Sequence, residues 1–147
     1  MRAGGCQCGS VRFTVGQPTL RAYACHCRQC QKQSASAFGV SVPIRREIFE
    51  VSGRLGIWSR ATDSGGRTDC AFCPECGVRV FHARAGGGPF VTIKGGGFDD
   101  TSDIPPAAHI WTIHKQAWLS VPADVPVFET QPDDMTAWRI AFIDGAA

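Results

Sequence analysis

Cys73-Pro74-Glu75-Cys76-Gly77, read together with Cys6-Gln7-Cys8-Gly9, decides what kind of chain this is. Each stretch sets two cysteines one or two residues apart and follows the second with a glycine. Two thiols so spaced on a tight turn fill two adjacent corners of a tetrahedron, and the glycine permits a backbone that brings amides up to the sulfurs. The two pairs joined make a four-sulfur set, the kind that zinc binds at about 2.3 Å in closed structural sites. Such a knot ties the start of the chain to a late hairpin and contributes folding free energy. The alternative is that these are buried free cysteines packing as small hydrophobes, and the paired spacing before glycine argues against it.

Cys25-His26-Cys27-Arg28-Gln29-Cys30 follows a different grammar. Three thiols within six residues can occupy three corners from one loop, leaving the fourth corner open. Three protein ligands and a vacancy are the usual arrangement of a catalytic zinc. With three thiolates the site carries a net charge of about −1, which makes a weak electrophile but a good seat for an incoming thiolate. The competing reading closes this site with Cys70, His26 or a distant histidine. Cys70 is the cysteine that a four-plus-three scheme leaves over. His26 stands between two ligands, so its ring is expected to point away from the metal and support the loop from behind.

The rest of the composition narrows the setting. At 147 residues the chain is expected to be a single zinc-binding domain over 1–147, and its 44% hydrophobic and 19% charged residues suit a loop-rich globular protein. A net charge of +2 without a basic run points to no nucleic acid and no membrane surface as partner. No stretch approaches the ~20 apolar residues of a bilayer span, and Met1-Arg2-Ala3-Gly4-Gly5 is not an apolar leader, so a cytoplasmic location is expected. In a reducing compartment eight cysteines read as metal ligands rather than disulfides.

Short apolar runs divided by turn residues predict strands at Val11 to Val15, Ala37 to Val42, Gly56 to Trp58, Val78 to His82, Phe90 to Ile93 and Ile110 to Ile113. Helical signals are confined to Arg28 to Ser34, a single turn at Arg45 to Phe49, and Pro132 to Phe142. Trp58, Trp111, Trp118 and Trp138 are expected to be core anchors.

Taken together, Gly5-Cys6-Gln7-Cys8-Gly9-Ser10-Val11-Arg12-Phe13, the Cys25 to Cys30 loop and Phe72-Cys73-Pro74-Glu75-Cys76-Gly77 resemble the three signatures of the glutathione-dependent formaldehyde-activating enzyme family, also called the centromere protein V domain family. The likeness continues through Phe49-Glu50-Val51-Ser52-Gly53, Gly97-Phe98-Asp99-Asp100 and His109-Ile110-Trp111 ahead of Trp118, so nearly the whole chain is covered. The resemblance implies a mainly β, Mss4-like domain with zinc knuckles and few short helices. It implies two zinc ions per chain, one structural on Cys6, Cys8, Cys73 and Cys76 and one catalytic on Cys25, Cys27 and Cys30.

The activity implied is that of a carbon–sulfur lyase, with glutathione or another small thiol and an aldehyde as partners. In the family's namesake reaction formaldehyde joins the glutathione thiol to give S-hydroxymethylglutathione. A proton donor for the developing alkoxide is needed, and His26 and His109 are the candidates, with weaker claims for His82 and His114. Arg28 and Lys32 flank the three-cysteine loop and read as solvated. The glycine-rich segments around Arg60 to Thr68 and Gly86 to Gly97 carry no residue assignable to glutathione. A thiol carrier without turnover and a zinc-stabilised interaction module remain as other functions, to be told apart by whether the second zinc accepts an exchangeable ligand.

Overall fold

Arg12-Phe13-Thr14-Val15 alternates outward and inward, with Phe13 and Val15 buried, and this short strand organises the first half of a mainly β chain. The computed structural model describes residues 1–62 and 65–146; Asp63 and Ser64 of the Arg60 to Thr68 segment lie outside the described residues. The chain forms two units, one from Met1–Thr19 and Pro43–Thr101, the other from Leu20–Val42 and the residues from Ser102 onward.

In the first unit, β1 (Arg2–Gly5) and β5 (Phe49–Ser52) flank β2 (Arg12–Val15) in an antiparallel three-stranded sheet. The strands β6 (Gly56–Ala61), β7 (Arg67–Phe72), β8 (Arg79–Arg84) and β9 (Phe90–Lys94) form an antiparallel meander. Phe13 packs edge-on against Phe98 at 5.2 Å between centroids, and Phe49 against Phe81 at 5.1 Å. Gly4 sits so close to this core that a β-carbon there would lie 2.2 Å from the Gly97 carbonyl oxygen and 2.4 Å from the Phe13 ring.

The second unit centres on β3 (Ala22–Cys25), every residue of which is buried. It runs antiparallel to β4 (Gly39–Arg45), which continues into the first unit, and parallel to β10 (Pro106–Ile110). A strand covered on both sides reads as an unbroken run of small and apolar residues, which is why Ala22-Tyr23-Ala24-Cys25 carries no period-two signal. Helix α1 (Arg28–Ser34) falls where the sequence places it, and α2 (Met135–Ile143) starts at an Asp134 cap that accepts from the Thr136 and Ala137 N–H groups. Trp138 and Phe142 of α2 pack on Tyr23 at 5.6 and 6.0 Å between centroids.

Two expectations need correction. The Ile110 to Ile113 strand is displaced: β10 ends at Ile110, and Thr112–His114 form a tight 3₁₀ turn, because Trp111 adopts a left-handed backbone that no strand accommodates. Trp58 and Trp118 are not core anchors, being 52% and 73% exposed; Trp58 carries the Arg79 guanidinium on its ring instead. No described helix is long and apolar enough to cross a membrane.

Candidate metal centres

Both cysteine pairs of the first unit sit on hairpin turns closed by backbone hydrogen bonds. Gly77 N–H donates to Cys73 O at 2.8 Å and Cys73 N–H to Val78 O at 2.9 Å; Gly9 N–H donates to Cys6 O at 3.1 Å and Cys6 N–H to Val11 O at 3.0 Å. Gly9 and Gly77 have φ of 79° and 75°, so each turn uses the left-handed conformation that glycine supplies without strain. Nothing crowds either α-carbon, and the requirement for glycine is therefore conformational rather than steric.

The turns bring the sulfurs of Cys6, Cys8, Cys73 and Cys76 within 4.8 Å of one another. Cys6 and Cys8 sulfurs are 3.5 Å apart, and Cys8 and Cys73 sulfurs 3.7 Å. A tetrahedron with metal–sulfur bonds of about 2.3 Å has sulfur–sulfur edges of about 3.8 Å, so the four-sulfur set fits zinc. These separations are far too long for disulfides, and all eight cysteines are free. The Val11 N–H donates to Cys6 Sγ at 3.2 Å, the amide contact expected behind a metal-bound thiolate. Ionisation is uneven across the set. Contacts with Ser10 hold Cys8 down to about 6, while burial drives Cys73 up to about 11. Clustered thiols cannot all carry charge unaided, and a divalent cation removes that conflict.

In the second unit, Cys25, Cys27 and Cys30 also hold their sulfurs within 4.8 Å, and among the described residues no fourth Cys, His, Asp or Glu joins them. Cys25 ends β3, Cys27 caps α1, and Cys30 lies in its first turn. Cys27 Sγ accepts the Cys30 N–H at 3.3 Å, so a single sulfur both faces the cluster and starts the helix. Contacts with Cys27 and Cys30, then burial, push the Cys25 thiol far up; hydrogen bonds from Cys25 and Cys30 pull Cys27 far down.

His26 is turned to the other side of the loop. Its Nε2 lies 2.8 Å from Nδ1 of His109 on β10, with both rings buried, and its N–H donates to Ile110 O at 3.0 Å. The Nδ1 of His26 is buried without a hydrogen-bond partner. Burial and the His109 neighbour hold the His26 imidazole down to about 4, so the pair is neutral near pH 7.

Gln31, which the sequence did not single out, secures the same loop. Its amide nitrogen donates to His26 O at 2.6 Å and His114 O at 2.9 Å, and its oxygen accepts from Gln116 at 2.9 Å. Cys70 joins neither group; it is buried on β7 with its sulfur 3.9 Å from Thr68 O.

A mainly β chain bearing two cysteine clusters that can hold metal ions, consistent with zinc, is the class that fold and sites define. Residues 1–114 match the sequence model of the glutathione-dependent formaldehyde-activating enzyme family, and the chain belongs to that family. Among solved structures, the crystal structure of a Rhodobacter sphaeroides protein aligns at 16% identity with a TM-score of 0.49, covering 85% of this chain and 98% of that one.

Proposed function

We propose that this chain is a carbon–sulfur lyase that joins an aldehyde to the thiol of glutathione, or of a related small thiol, and cleaves the same bond in reverse. One observation carries the reading: three cysteines of a single loop converge while no fourth ligand from the described residues completes the set, in a chain of this family. Zinc bound there would supply a Lewis-acidic seat at which a substrate thiol is held as thiolate.

The first-unit cluster of Cys6, Cys8, Cys73 and Cys76 is then the structural centre. Its four sulfurs leave no corner for substrate, and its role is to fix the hairpins that bear it. Cys25, Cys27 and Cys30 are the catalytic ligands, set by a loop whose central residue is anchored through its N–H, its carbonyl and its ring. Because Nε2 of His26 is engaged by His109, His26 acts on the loop rather than as a fourth ligand.

The chemistry balances without an oxidant. The thiolate sulfur forms a bond to the aldehyde carbon, the C=O π pair moves to oxygen, and that oxygen takes up a proton equivalent to the one lost from the thiol. Holding the two reactants together supplies several kcal/mol of the barrier through proximity. The eight free thiols suit a reducing compartment such as the cytoplasm.

The test is formation of S-hydroxymethylglutathione from formaldehyde and glutathione, followed by NMR at catalytic protein concentration, alongside native mass spectra counting zinc. Two zincs per chain, a rate above the uncatalysed one, and loss of that rate in Cys27→Ser are expected. Two zincs with no thiol binding would overturn the reading and leave a structural module.

A further inference from the structure

Ala35 and Trp111 are the two described non-glycine residues with a left-handed backbone. Ala35 sits at the end of α1, where that conformation is common; Trp111, at φ 59° and ψ 35°, follows a β-strand. A bulky side chain adopts this conformation at a free-energy cost and keeps it only where its surroundings over-determine it. Four backbone hydrogen bonds do so here: Trp111 N–H to Thr130 O at 2.5 Å, Thr112 N–H to Phe128 O at 3.2 Å, Ile113 N–H to Glu129 O at 3.1 Å and His114 N–H to Trp111 O at 3.1 Å.

The strained residue sets two rings beside the three-cysteine loop. Ile110 pairs with Cys25, and the turn that starts at Trp111 returns His114 O to Gln31, whose amide also holds His26 O. The Trp111 and His114 rings are parallel, with an interplanar angle of 0° and centroids 6.5 Å apart. The indole packs against the core group containing Cys25 and Ile110, on which Cys27 and Cys30 also pack. Both rings are half-buried. Among the described residues, neither the indole N–H nor the imidazole nitrogens have a hydrogen-bond partner, and none of them is sealed from solvent.

We propose that Trp111 and His114 form a clamp for the planar amide of a peptide thiol whose sulfur reaches Cys25, Cys27 and Cys30. The inference rests on the lyase reading above and names what that site would select. The two ring planes are parallel, with centroids 6.5 Å apart, so a planar group lying against the face of one ring is already oriented to stack on the other. The free indole N–H offers a donor to an amide or carboxylate oxygen, and the imidazole a second polar contact. Peptide thiols such as glutathione satisfy this arrangement, and thiols without an amide do not.

The experiment measures binding to the zinc-loaded chain by calorimetry and tryptophan fluorescence, with S-methylglutathione, which has the peptide but no free thiol, and with 2-mercaptoethanol, which has the thiol but no amide. Trp111→Ala should weaken S-methylglutathione about tenfold or more while changing 2-mercaptoethanol less than about twofold, and His114→Ala should act in the same direction. Trp111→Gly should lose the same binding yet melt higher than Trp111→Ala, because glycine relieves the left-handed backbone. Unchanged S-methylglutathione affinity in Trp111→Ala, with glutathione still bound, would sink the clamp and leave the lyase reading standing. No binding of either peptide by the unaltered chain would overturn both, and Trp111→Gly melting no higher than Trp111→Ala would contradict the strained geometry the clamp depends on.

Discussion

Gly39 stands opposite Cys25 across the β3–β4 ladder, and a β-carbon on it would lie 3.3 Å from Cys30 Cβ and 3.6 Å from Cys30 Sγ. The bare α-carbon therefore reserves the space in which Cys30 is aimed. Gly39→Ala should displace that sulfur by a few tenths of an ångström and, since a metal shell at about 2.3 Å tolerates little displacement, weaken one of two zinc sites about tenfold. Competition with a chromogenic chelator reads this directly; two unchanged affinities would show that β4 yields instead.

Gln31 presents its amide nitrogen to two carbonyl oxygens, those of His26 and His114. Gln31→Glu keeps the shape and exchanges that donor for a charged acceptor facing both oxygens. It should destabilise the chain by roughly 2–3 kcal/mol, more than Gln31→Leu, which leaves the oxygens merely unpaired. Thermal melts of the zinc-loaded variants give the order, and hydrogen exchange at the His26 and His114 amides should rise in both.

Cys73 and Cys70 lie three residues apart on one hairpin, both buried, yet Cys73 alone belongs to a metal cluster. Cys73→Ser should cost one zinc per chain and about 3 kcal/mol or more, which for a chain of this length lowers Tm by roughly 10 °C. Cys70→Ala should leave the zinc count at the starting value and cost only the packing of one sulfur. Native mass spectra of the two variants separate these outcomes.

Arg12 on β2 forks onto both oxygens of Asp99, with Nη1 at 2.9 Å from Oδ1, and this hydrogen bonding holds the Asp99 carboxyl below its usual range. A carboxyl lowered in the folded state adds stability that is fully present above the ordinary carboxylate range, about 4, and is lost as pH falls below it. Asp99→Asn should therefore flatten the decline of stability below about pH 4 and lower stability at pH 7 by the same amount, a small one because the pair is exposed. Denaturant melts across that range check the difference in slope.

The cysteine geometry was legible in the sequence because spacing on a tight turn is local information. Gly9 and Gly77 take the left-handed φ that the knuckle reading required, and helix α1 occupies Arg28–Ser34 as expected. What stayed hidden depends on partners distant in the chain. β3 has no alternation because both of its faces are buried, and β1 is a strand of Arg2-Ala3-Gly4-Gly5, whose glycines lower strand propensity but are required where Gly4 meets Gly97. Gln31 and Gly39 matter through what stands across from them, which no window of residues shows. His26 turned away from the sulfurs as its place between two ligands suggested, but its pairing with His109 spans 83 residues. Trp111 misled most, since an apolar Ile110-Trp111-Thr112-Ile113 run reads as strand unless the backbone is known.

Seven residues are too few for a helix to sustain itself in water, and α1 begins on a sulfur atom. Alkylation or oxidation of Cys27 would therefore strip away the acceptor that starts the coil along with a ligand of the cluster. Local order in this loop would then be lost together with one of the three sulfurs able to hold a metal, and the far-ultraviolet signal of α1 becomes a gauge of whether that thiol is intact.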